Sequence, residues 1–110
     1  MANIGGNITA TIQTKTTQKN EIGAGVETWT DALAFPGWLG LQSGDSKRTY
    51  GAKLEESTHV FLCDYIPGVY ALADQDTRMV IKGRMYDVLL IDNPDEMDEQ
   101  LEIYLRKVGG

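Results

Sequence analysis

Met85, Asp87, Leu89 and Ile91 alternate along the chain with Tyr86, Val88 and Leu90, so this stretch is apolar at nearly every position. It follows Ile81-Lys82-Gly83-Arg84, which has the form of a two-residue hairpin turn. Gly83 can take the positive φ such a turn needs, and apolar or β-branched residues flank it on both sides. A strand of a small sheet normally shows one face to water and is apolar on one parity only. A strand apolar on both parities has to be covered twice. The stretch therefore predicts a closed antiparallel barrel, with one strand face in the core and the other packed against a further surface. Tyr86, Val88 and Leu90 are the candidate residues for that second contact.

The 110 residues suffice for one domain with a single small core, spanning 1–110. Net charge is -6, with a pI near 4.6. That balance argues against a protein that grips nucleic acid through its phosphates. It is compatible with one that surrounds DNA without adhering to it. Cys63 is the single cysteine, so no intramolecular disulfide forms and a reducing compartment is expected. No apolar run approaches membrane-spanning length, and the N-terminus lacks the order of a signal peptide.

Residues 1–6 are small and Gly-rich, and read as a flexible arm. Residues 7–15 alternate Ile8, Ala10 and Ile12 with Thr9, Thr11 and Gln13, a half-buried strand. Residues 16–25 are polar with two glycines and are expected to be an exposed connection. Alternation resumes at Val26-Glu27-Thr28-Trp29-Thr30, closing a first hairpin with a long tip. Pro36 and Gly37 interrupt the next apolar run, so the strand is expected to end or bulge there before Trp38. Residues 42–56 form a long excursion, read as a loop or a short helix over residues 47–55. They carry the chain's cluster of bases at Lys47, Arg48 and Lys53, with Tyr50 among them. A solvated helix or loop is the plainer reading of that cluster, and an anion or DNA contact the sharper one. Residues 58–65 are a strand ended by Ile66-Pro67-Gly68. The last segment carries two patterns. Asn93 as cap, Pro94, and Met97, Leu101 and Leu105 at helical spacing predict a helix, whereas Leu101, Ile103 and Leu105 against Glu102, Tyr104 and Arg106 predict a strand.

No catalytic, cofactor-binding or metal-binding constellation emerges. His59, the single histidine, and Cys63 fall on one face of a strand but roughly 13 Å apart at the strand rise. That is too far for proton transfer or shared coordination of a metal. The acids between Asp92 and Glu102 lack EF-hand spacing, because Pro94 stands where a ligand belongs. The glycines between residues 37 and 51 do not precede Lys and Ser or Thr in the order of a phosphate-binding loop. The expectation is a protein that is not an enzyme.

Four stretches, in this order and spacing, resemble the head-closure (head-tail joining, stopper or connector) proteins of long-tailed bacteriophages. They are Thr11-Ile12-Gln13 with Val26-Glu27-Thr28-Trp29; Ser43-Gly44 with Lys53-Leu54; Thr58-His59 opening a strand; and Ile81 through Leu89 running into Asp92-Asn93-Pro94-Asp95-Glu96. The resemblance covers residues 9–107. It implies a mainly β fold, a small antiparallel barrel or sandwich with a long inter-strand loop and at most one short helix. The segment after Pro94 is then a strand. It also implies a structural virion protein that forms a ring in the neck, below the portal or adaptor ring. Such a ring closes the DNA-filled capsid and offers the tail its docking surface. The implied partners are further copies of the chain, the portal or adaptor ring, and a tail terminator or tail completion protein. Double-stranded DNA would pass through the lumen without sequence-specific contact. No cofactor and no membrane are implied, and assembly is expected in the host cytoplasm. On this reading the excursion, with Lys47, Arg48, Tyr50 and Lys53, reaches the channel or a neighbouring ring. At Ala34-Phe35-Pro36-Gly37 the sequence departs from the family's continuous strand.

Two other readings compete. One is a neighbouring connector ring, an adaptor or tail terminator. The other is an independent barrel binding a peptide or oligonucleotide on an aromatic platform of Trp29, Trp38 and Tyr50. The acidic balance disfavours nucleic acid as its ligand.

Overall fold

The computed structural model describes residues 4–41 and 58–108. Among the described residues there are six strands, β1 (Ile8–Lys19), β2 (Gly25–Leu41), β3 (His59–Asp64), β4 (Thr77–Ile81), β5 (Arg84–Asp92) and β6 (Gln100–Lys107), with one single-turn helix, α1 (Pro67–Tyr70), between β3 and β4. All strand pairs are antiparallel, in the order β1-β2-β3-β6-β5-β4, and β4 returns to pair with β1. The sheet therefore closes into a barrel, as the doubly apolar strand predicts. The Lys82-Gly83 turn adopts positive φ at both residues (52° and 75°), which matches the right-handed twist of the strands it joins.

Alternation decides which side chains enter the barrel. Ala10 and Ile12 from β1, Phe61 and Cys63 from β3, Met79 and Ile81 from β4, and Leu101, Ile103 and Leu105 from β6 are all at most 1% exposed. Each buried aliphatic or aromatic side chain of this size contributes about 1.5–3 kcal/mol through removal of apolar surface from water. Phe35 meets Phe61 edge to face with ring centroids 5.8 Å apart.

Three expectations need correction. First, β2 runs unbroken through Pro36 and Gly37. Pro36 is paired with Thr9 on one side, while the pairing of β2 with β3 begins only at Trp38. A proline without an N–H is tolerated because it stands on an open edge. The irregularity lies elsewhere, opposite Ile12 and Gln13, where Ala32 is the extra residue. Second, residues 16–25 are largely not a loose connection. The pairing of β1 with β2 continues out to Lys19 and Gly25. Only residues 20–24 turn, held by the Asn20 side-chain oxygen, which accepts from the Ile22 and Ala24 N–H groups at 3.0 Å each. Third, Asn93 does not cap a helix. The segment after Pro94 makes a single 3-10 turn and then β6, so of the two patterns the strand prevails. Asn93 is buried and instead bridges to Asp98, donating to its carboxylate at 2.7 Å and accepting its N–H at 3.1 Å. Pairing on both sides, with β3 and with β5, gives β6 more than a lone helix would recover. The short helix expected over residues 47–55 lies outside the described residues.

Residues 4–6, the described part of the expected arm, are fastened to the barrel. The Asp64 carboxylate accepts the Ile4 and Gly5 N–H groups at 2.7 and 3.3 Å, and the Trp38 indole N–H donates to the Ile4 carbonyl at 2.8 Å. At the other extreme, residues 16–19 and 25–28 pair only with each other, so β1 and β2 leave the barrel as a two-stranded ribbon. The longest dimension of the molecule, 50 Å against 29 and 26 Å for the other two, is consistent with that projection.

Candidate assembly surfaces

The strand that is apolar on both parities contains a β-bulge. Val88 pairs with Leu105, Leu90 with Tyr104 and Ile91 with Ile103, which leaves Leu89 as the extra residue. A bulge shifts the side-chain alternation by one. Before it, Tyr86 and Val88 point inward; after it, Ile91 does. Much of the double apolarity is thus the record of a change of face within one strand. Tyr86 is only 2% exposed and belongs to the core, and Val88 packs against that core. Within a single chain, Tyr86 is thus covered by its own barrel. Of the three candidates only Leu90 falls on the outer face, where it is half-buried opposite Tyr104. Lys47, Arg48, Tyr50 and Lys53 lie outside the described residues.

Near the bulge, β5 also outruns its other neighbour, β4. β4 pairs with β5 only as far as Asp87, whereas β5 continues to Asp92. Among the described residues, no strand lies beside residues 88–91 on that side. The backbone hydrogen bonds of the turn at residues 71–76 go to α1, to the turn itself and to Lys15. Between this turn and the open edge lies a cleft of about 340 Å³, whose rim includes the exposed acids Asp74 and Asp76.

A polar network brackets the base of the ribbon. Arg78 donates to the Gln13 side-chain oxygen at 2.6 Å, Gln13 donates to Asp31 at 2.6 Å, and the Arg78 guanidinium lies 4.4 Å from the centroid of the Trp29 ring. Lys15 sits 3.4 Å from Asp76 and 3.6 Å from Glu27. A hydrogen bond to Asp76 and the charges of Glu27 and Asp76 raise its pKa. These contacts tie β1, β2 and β4 together where the ribbon departs. Trp29 is thus already stacked by Arg78. Trp38, nine residues away, is about 30 Å distant at the strand rise. The two tryptophans therefore do not make one platform, and Tyr50 lies outside the described residues.

His59 lies against Tyr86, ring centroids 5.2 Å apart, with Nδ1 2.9 Å from the Thr58 hydroxyl. Burial, assisted by the charge of Lys107, lowers its pKa. The folded chain therefore favours the neutral ring. Below the ordinary histidine value of ~6.5 the unfolded chain binds more protons than the folded one. This contribution to stability is complete above that value and is lost as pH falls through it toward the folded pKa. The urea midpoint of the protein is expected to fall more steeply between about pH 7 and pH 5 than that of His59→Gln. Superimposable pH profiles for the two proteins would refute this. Cys63 is fully buried, and desolvation pushes its thiol up to about 12. It behaves as core, not as a nucleophile. Among the described residues no group of His, Cys, Asp and Glu is arranged to hold a metal ion. No described helix is long and apolar enough to cross a membrane.

Comparison with known proteins places this barrel. No curated protein matches the chain. The solution structure of protein SF1141 from Shigella flexneri 2a is similar over 98% of both chains, with a TM-score of 0.73 and 24% sequence identity. At that identity the likeness speaks for the fold alone. The sequence profile of a phage protein family matches residues 7–108, which covers every strand of the barrel. The chain belongs to the family of phage head completion proteins, structural components of the phage particle.

Proposed function

We propose that copies of this protein form a ring in the neck of a long-tailed phage, below the portal or adaptor ring, and that the ring closes the filled head and receives the tail. The observation that carries this reading is the family match across residues 7–108. The fold supports it in two ways. The barrel is a compact block with open strand edges, suited to lateral packing. Its acidic balance, net -6, lets DNA move past without adhering. The work is geometric, and no reaction is involved. A heterologous contact repeated around an axis closes a ring. Within that ring we assign the excursion over residues 42–56, with Lys47, Arg48, Tyr50 and Lys53, to the lumen or to the adjacent layer. There its bases meet the DNA end or an acidic neighbour. Leu90 is assigned to the boundary between subunits.

The deciding experiment is a cryo-electron microscopy map of virion necks containing this protein. The expected result is a closed ring of this barrel directly beneath the portal-adaptor layer, with residues 42–56 directed inward or toward the next layer. A map with the barrel absent from the neck would overturn the proposal. Placement in the adaptor or tail-terminator layer would replace it with that alternative.

A further inference from the structure

Exposed apolar side chains gather at two places that the fold holds rigidly. The first is the tip of the ribbon, where Ile22 is 87% exposed and Val26 44%. From Thr14, the last residue of β1 paired with β4, to Lys19 the ribbon advances roughly 17 Å at the strand rise. Its turn is fixed by the Asn20 side-chain oxygen, which accepts the N–H of Ile22 itself. Its stem is braced by Arg78 against Trp29 and by Lys15 between Glu27 and Asp76. The second place is the outer face of β2 and β3, where Trp38 is 44% exposed and stands directly across from half-buried Leu62. Pro36, two residues before Trp38, shares that face and is exposed. The Trp38 indole N–H is satisfied within the chain by the Ile4 carbonyl, and the Asp64 carboxylate holds Ile4 in turn. Resting on the ring reading above, we propose that Ile22 and Val26 of one subunit pack on Trp38 of the next.

The two places fit in chemistry, in charge and in position. An aliphatic knob on an aromatic ring whose polar atom is already paired removes apolar surface from water and strands no hydrogen bond. Tip and ring are both held before contact, so little rotamer freedom is lost on packing. Tryptophan is also among the residue types that dominate interface energetics. Lys15 and Lys19 balance Glu21 and Glu27 over residues 15–28, so the ribbon approaches a chain of net charge -6 without repulsion. Glu102, directly across from Leu62, and Asp64 flank the patch with negative charge, which suits exposed Lys19 beside the tip. Val26 and Trp38 lie toward opposite ends of β2, with roughly 40 Å of strand between them. Each subunit therefore gives its tip to one neighbour and receives the tip of another. Such a contact is heterologous and repeats around an axis.

The test mixes two forms of the full chain and reads the contact by nuclear magnetic resonance. One form is isotope-labelled; the other is unlabelled and carries a nitroxide on Glu21→Cys, an exposed position beside Ile22. Cys63 is buried and stays unmodified. The indole N–H signal of Trp38 is expected to broaden as the nitroxide form is added, while that of Trp29 keeps its intensity. Trp29 is the internal control, because it lies about 30 Å from Trp38 at the strand rise. Adding Ile22→Asp to the nitroxide form should weaken the contact by about tenfold or more and restore the Trp38 signal. Equal broadening of both indoles, or broadening that survives Ile22→Asp, overturns the contact. A chain that oligomerises by mass with Trp38 unbroadened also overturns it and leaves the ring reading standing. A chain that stays monomeric with Trp38 unbroadened overturns it too, and the neck map then decides the ring reading independently.

Discussion

Replacing Tyr86 by alanine is expected to lower the unfolding free energy of the isolated subunit by about 3–5 kcal/mol, the range for removal of a buried aromatic ring. Tyr86 is 2% exposed within a single chain, sits among the core residues and meets His59 edge to face. Its removal leaves a cavity at the end of the barrel where β4, β5 and β6 meet. Urea unfolding of the monomer measures the effect. If Tyr86 instead served a subunit boundary, the monomer would keep its midpoint and only self-association would suffer. Leu90→Ala provides the contrast. It is half-buried on the outer face, so its cost to the monomer is expected to be about 1 kcal/mol, below that of a fully buried leucine.

Gly37→Ala is expected to be nearly as damaging, at about 3 kcal/mol, although it adds a single methyl group. Gly37 lies where β2 crosses from pairing with β1 to pairing with β3. A Cβ there would run into the Phe61 ring and the Leu62 carbonyl oxygen. The ring is held by Phe35 and the carbonyl belongs to the β3 backbone, so neither yields without moving a strand. The measurement is the urea midpoint of Gly37→Ala beside that of Gly40→Ala, where a Cβ meets nothing within 4 Å. Equal, small losses in the two variants would show that β2 and β3 are not closely packed at Gly37. Combining Gly37→Ala with Phe61→Leu should recover part of the loss by relieving the ring contact, though not the backbone one.

The ribbon and the bulge bear on assembly in different ways. The bulge at Leu89 marks a change of face within β5: Tyr86 is buried in the core, and half-buried Val88 packs against it. Separately, β4 pairs with β5 only as far as Asp87, and a cleft lies beside the rest of β5.

Much of this architecture was legible in the residues. Period-two alternation in Ile8, Ala10 and Ile12 and in Phe61 and Cys63 identified core-facing strands, because burial of one sheet face imposes that spacing. Gly83 marked the closing hairpin, because the turn requires positive φ. The resemblance to head-closure proteins agreed with the family match. Other features depended on partners far away in the chain. Whether Pro36 breaks a strand depends on whether its outer edge is paired, and only the late arrival of β3 shows that it is not. Whether residues 97–107 become helix or strand depends on β3 and β5 offering hydrogen bonds on both sides. The seven residues from Met85 to Ile91 specified by themselves a strand with no face suited to water. Only the tertiary structure decided which of them point inward, because one unpaired residue, Leu89, resets the alternation, and a bulge is a property of two strands in register.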